Sequence, residues 1–102
     1  MAWFVKTETF TAETAALSIE QRRPFLEAHR TWLDQQFGLG RCIRSGFLVD
    51  DQRRPGGGGL LMFQASSYAD ALDWVSQDPM IVAGLVVWQL QEWIPVSGDD
   101  WP

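Results

Sequence analysis

A chain of 102 residues with 46% apolar content is too short for two cores and apolar enough for one, so residues 1-102 read as a single domain. Thirteen acids outnumber eight bases, and a net charge of -5 argues against a nucleic-acid partner, which needs a basic face. No stretch approaches the ~18 uninterrupted apolar residues of a membrane span; the opening "MAWFVKTETF" lacks the regions of a signal peptide and Cys42 has no second cysteine to pair with, so the expected compartment is the cytoplasm.

Ala2 to Phe10 alternates, with Ala2, Phe4, Lys6 and Glu8 on one side and Trp3, Val5, Thr7 and Thr9 on the other, which is the period of a strand. A helix follows Ser18, where Ser18-x-x-Gln21 has the form of a capping box, although Pro24 also fits a later start at its first position. Phe25, Ala28, Trp32 and Leu33 recur at helical spacing as its buried stripe, and Gly38 and Gly40 end it. Arg41 to Val49 and Leu60 to Gln64 read as two strands joined by "DDQRRPGGGG", Asp50 to Gly59, a long flexible hairpin loop. A second helix begins after Ser66 or Ser67, carries Tyr68, Ala71, Leu72 and Val75 on one face, and stops at Asp78-Pro79. "DPMIVAG" forms at most a short capped turn, and Val86 to Val96 is the last strand.

The order βαββαβ predicts an α+β, ferredoxin-like fold: a four-stranded antiparallel sheet with two helices on one face. Such a sheet leaves its second face to polar residues or a partner. Six Trp and six Phe, with Trp3, Val5, Val87 and Trp93 among the apolar residues found at both strand parities, favour a homodimer formed through that open face.

Few residues offer chemistry. Arg22 with Arg23, Arg41 with Arg44, and Arg53 with Arg54 are separated pairs that read as solvated faces or loops. One His, one Cys and scattered carboxylates give no metal-ligand spacing, and "GGGG" lacks the Lys-Ser/Thr end of a phosphate loop, so no metal and no cofactor is expected. Cys42 reads as a small buried hydrophobe, no serine sits in a nucleophile elbow, and the tail "SGDDWP" reads as a frayed terminus. His29, the sole histidine, lies on or beside the buried stripe of the first helix. Asp78 caps the turn after the second helix. Because the two helices of this topology run antiparallel, Asp78 comes within reach of His29, and a carboxylate there would fix the imidazole's tautomer and raise its basicity.

"DPMIVAGLV" resembles the "DP" followed by "AG" signature of the YciI-like (YCII-related) family of the dimeric α/β-barrel superfamily, and the resemblance extends over nearly the whole chain. His29 with Leu33 four residues on, Gly40, Gly46 and Trp74 occupy matching positions. Two residues depart from the family pattern: Leu26 stands where an arginine often precedes the histidine by three, and Phe47 where a proline often follows the second glycine. The resemblance implies a dimeric α/β barrel and a His-Asp active site, here His29 and Asp78, near the dimer interface. Two functions from different classes follow: a cofactor-free enzyme in which His29 and Asp78 move a proton on a small aromatic or carbonyl-bearing molecule, or a non-catalytic dimeric module for a metabolite or a partner. An enzyme needs a pocket that reaches His29, whereas a module can bury it behind Phe25 and Trp32.

Overall fold

The computed structural model describes residues 1–99; Asp100, Trp101 and Pro102, the end of the acidic tail, lie outside the described residues. Eight elements follow in order: β1 (Ala2–Phe10), α1 (Ala12–Ala16), α2 (Ile19–Gly38), β2 (Ile43–Val49), β3 (Pro55–Ala65), α3 (Tyr68–Val75), α4 (Pro79–Val82) and β4 (Val86–Trp93). The strands form one antiparallel sheet in the order β2-β3-β1-β4, with the first strand central and each helical crossover skipping a strand.

Register assigns the faces. Phe4 pairs with Phe63, Lys6 with Leu61 and with Leu90, and Ile43 with Phe63, so these residues share the face that α2 and α3 cover. On it Phe4, Leu61, Phe63, Ala65 and Leu90 pack with Trp32 of α2 and with Ala71, Trp74 and Val75 of α3 in one buried cluster. Each large side chain there contributes about 1.5–3 kcal/mol by leaving water. Trp3 pairs with Trp93 and Thr9 with Val87, which sets Trp3, Val5, Val87 and Trp93 together on the opposite, open face, where Val87 is 64% exposed.

Trp74 binds the helices to each other. Its ring lies 4.8 Å from Trp32 and 4.5 Å from Phe63, its Nε1–H donates to Gln36 Oε1 at 2.8 Å, and the Arg41 guanidinium sits 4.3 Å above it. Arg41 is therefore a packing residue and not part of a solvated pair, and Arg22, over the Phe10 ring at 5.2 Å, is another.

Several sequence expectations are corrected. Ser18 does make the capping box: its side chain accepts from Gln21 N, and Gln21 returns a bond to Ser18 N. Pro24 therefore lies inside α2, where it leaves the Glu20 carbonyl without its i+4 donor. Only Trp32 of the expected stripe is buried and Leu33 half-buried, whereas Phe25 and Ala28 are exposed, because the helix turns the edge carrying Arg22, His29, Trp32 and Gln36 inward. The glycine run is strand and not loop. Gly58 and Gly59 pair with Thr9 and Glu8, so the hairpin loop shrinks to a turn over residues 50–54, closed by Asp50 Oδ1 accepting from Gln52 N and Arg54 N. Among the described residues α1, capped by Thr11, is an unexpected helical segment too short to show a period, whereas the short capped turn expected after Asp78 is the four-residue helix α4. Cys42 is exposed just before β2, and the last strand ends at Trp93. No described helix is long and apolar enough to cross a membrane.

Candidate active site

Asp78 stands where the chain leaves α3 and enters α4. Pro79 at the first helical position presets φ and needs no amide partner, and Asp78 Oδ1 accepts from Met80 N at 2.9 Å, the side-chain cap that a four-residue helix requires. Gly84, at φ +69°, terminates this segment in the left-handed region and lets the chain turn into β4.

The same Oδ1 also receives His29 Nδ1 at 2.7 Å, while Oδ2 receives Lys6 Nζ at 2.9 Å. Cap and imidazole thus share one oxygen of Asp78, and the second oxygen is held by a lysine. Lys6 projects from β1 into the helix-covered face, is completely buried, and also donates to Glu8 Oε1 at 2.6 Å. Four residues from β1, α2 and the junction between α3 and α4 form one chain of contacts: His29, Asp78, Lys6, Glu8.

Sequence reasoning found the ends of one link, His29 and Asp78, and missed Lys6 and Glu8. A signal was present. Lys6 shares strand parity with Ala2 and Phe4, and a lysine on an apolar, inward face must find anions or leave an ammonium stranded.

Electrostatics fixes the protonation pattern. Burial pushes the Asp78 carboxyl up more than any other single influence, but the hydrogen bond from His29, the charges of Lys6 and of protonated His29, and the hydrogen bond from Lys6 together hold it below the ordinary carboxylate value. Asp78 is therefore ionised at neutral pH and can only accept. It follows that Nδ1 of His29 carries a proton, and in the neutral ring Nε2 keeps its lone pair. Nε2 has no hydrogen-bond partner among the described residues; the His29 side chain is 20% exposed and lines a cavity of about 1050 Å3 between α2 and the sheet. With a neutral imidazole the four groups sum to -1, and a proton gained at Nε2 brings the cluster to zero.

The cavity reaches from Glu8 and Phe10 on β1 to Leu26, His29 and Leu33 on α2 and to Phe47 on β2. Its walls are mainly apolar, with a few convergent polar groups, as small-molecule sites usually are. Neither Phe25 nor Trp32 seals it from His29. No group of three His, Cys, Asp or Glu side chains is gathered as a metal site among the described residues.

A family model for the YCII-related domain matches residues 3–94. The chain belongs to the YCII-related family. No curated protein matches it. Among solved structures, this YCII-related chain is similar to the 5-chloro-2-hydroxyhydroquinone dehydrochlorinase TftG of Burkholderia phenoliruptrix AC1100 in complex with 2,5-dihydroxybenzoquinone. The TM-score is 0.66 at 20% sequence identity, covering 90% of this chain and 93% of that one, a likeness of fold.

Proposed function

We propose that this YCII-related protein is a cofactor-independent acid-base catalyst acting on a small hydroxylated or carbonyl-bearing ring. One observation carries the reading: an ionised, buried carboxylate 2.7 Å from Nδ1 fixes the tautomer that presents the Nε2 lone pair to a ligand-sized cavity. In the reaction Nε2 takes a proton from a carbon or hydroxyl adjacent to a carbonyl, Asp78 stabilises the imidazolium, and the same proton is returned to another atom of the substrate or released as a leaving group departs. Lys6 keeps Asp78 ionised and aimed throughout. The similarity to a dehydrochlorinase bound to a quinone supports a ring as substrate and elimination as one outcome of proton removal.

A second copy completes the reading. The open face carries Val5, Leu60 and Val87, and covering it sheet to sheet would give the dimeric α/β barrel. The direct test is His29→Gln. Chloride release from chlorinated hydroxyhydroquinones, and deuterium exchange into hydroxyquinones, should fall by about 10²–10⁴-fold, while the ring still binds. Equal rates in the variant would remove His29 from the chemistry. Binding without turnover or exchange in the wild type would instead support a non-catalytic metabolite-binding module.

A further inference from the structure

Across the sheet, on the side that the cavity occupies, Glu8 of β1 is followed by Gly59 of β3 and then by Phe47 of β2. Gly59 leaves a gap one side chain wide between a carboxylate and an aromatic ring, and all three residues line the cavity. A Cβ placed at Gly59 would lie 3.3 Å from Glu8 Cγ and 3.5 Å from the Gly46 carbonyl oxygen, so any larger residue would fill the gap and push Glu8 aside. Phe47, 70% exposed, presents its ring at the far edge.

Glu8 is held rather than free. Lys6 fixes Oε1 at 2.6 Å, and Oε2 has no hydrogen-bond partner among the described residues. The geometry points to Glu8 as a second ligand-contacting residue, with the Gly59 gap as the seat of a flat ring whose hydroxyl donates to Glu8 Oε2. This rests on the reading of the cavity as the active site. A carboxylate accepts and cannot donate, and Nε2 of neutral His29 is likewise an acceptor. The ligand that satisfies both is a planar ring carrying hydroxyl groups on two sides. Lys6, touching Glu8 and Asp78, is the positioning residue that ties the two acceptors into one frame.

The test compares hydroquinone, 4-fluorophenol and 1,4-difluorobenzene, close in size and differing in hydroxyl count, in NMR titrations of the full chain. Each hydroxyl lost should weaken binding about three- to tenfold. Glu8→Gln keeps the volume, offers its carbonyl oxygen to Lys6 and turns an N–H donor to the ligand; it should cost hydroquinone about tenfold and leave 1,4-difluorobenzene unchanged. Gly59→Ala should weaken all three. Hydroquinone binding no tighter than 1,4-difluorobenzene, failing to bind at all, or binding Glu8→Gln as well as wild type would overturn the inference. The wild-type ratios decide the matter even if Glu8→Gln does not fold. Because these are binding ratios, a chain that shows them without turnover overturns the proposed catalysis alone, and one that turns over substrate without them overturns this inference alone.

Discussion

Replacing Lys6 by methionine tests the buried cluster most directly, since the apolar stem is kept and only the ammonium is lost. Lys6 and Asp78 are both completely buried and 2.9 Å apart. At an effective dielectric constant of about 20 that separation corresponds to about 6 kcal/mol of attraction. The variant no longer buries an ammonium, which returns part of this, and breaking such a pair from one side costs about 3–5 kcal/mol in general. Asp78 retains His29 and Met80 N as donors and Glu8 can turn to the cavity, so the lower end applies, about 3 kcal/mol. For a domain of this size that lowers the melting temperature by about 12–24 °C. Urea unfolding followed by tryptophan fluorescence measures it at pH 7 and again near pH 4. The wild-type Asp78 carboxyl lies below its unfolded value, so its contribution is complete above about pH 4 and disappears only as the pH falls through the lower folded value. Without Lys6 two of the influences that hold the carboxyl down are gone, so it moves up from its wild-type position and protonates earlier as the pH falls, which relieves the variant. The deficit should therefore narrow from pH 7 towards pH 4. A loss below about 1 kcal/mol, typical of an exposed pair, or a deficit independent of pH, would refute the reasoning.

Ser18→Ala removes the capping box of α2 and should cost about 1 kcal/mol in urea unfolding, whereas Pro24→Ala restores a donor for the Glu20 carbonyl and should stabilise by about 1–2 kcal/mol, the helix gain offset by a freer unfolded chain. Sedimentation of the wild type at micromolar concentration should give a dimer, and Val87→Glu on the open sheet face should shift it to monomer; a wild-type monomer would remove the second copy from the proposal.

The alternation of Ala2 to Phe10, the Ser18-x-x-Gln21 box and a helix start at Ser66 or Ser67, where Ser67 is the cap, were legible because each depends on neighbours a few residues apart, which strand period and capping chemistry describe. His29 and Asp78 were also legible, the one as the sole histidine and the other from the Asp-Pro cap, with the antiparallel helices supplying the link between them. Gly56 to Gly59 misled, since four glycines carry no strand propensity; the run is strand because Gly58 and Gly59 pair with Thr9 and Glu8 of β1, and Gly59 also with Phe47 of β2. Phe25 misled as well, because helical spacing defines a stripe without saying which edge of it meets the sheet. Lys6 was visible only as a charge on an inward parity, and its meaning depended on Asp78, 72 residues away, arriving 2.9 Å from its ammonium. Local sequence determined most of the elements and named the pair. Tertiary packing, through the Trp32, Trp74 and Phe63 contact that sets α3 against α2, decided that Asp78 meets both His29 and Lys6, and hence that one carboxylate serves as cap, counter-ion and tautomer clamp, because a buried charge is costly unless it is paired.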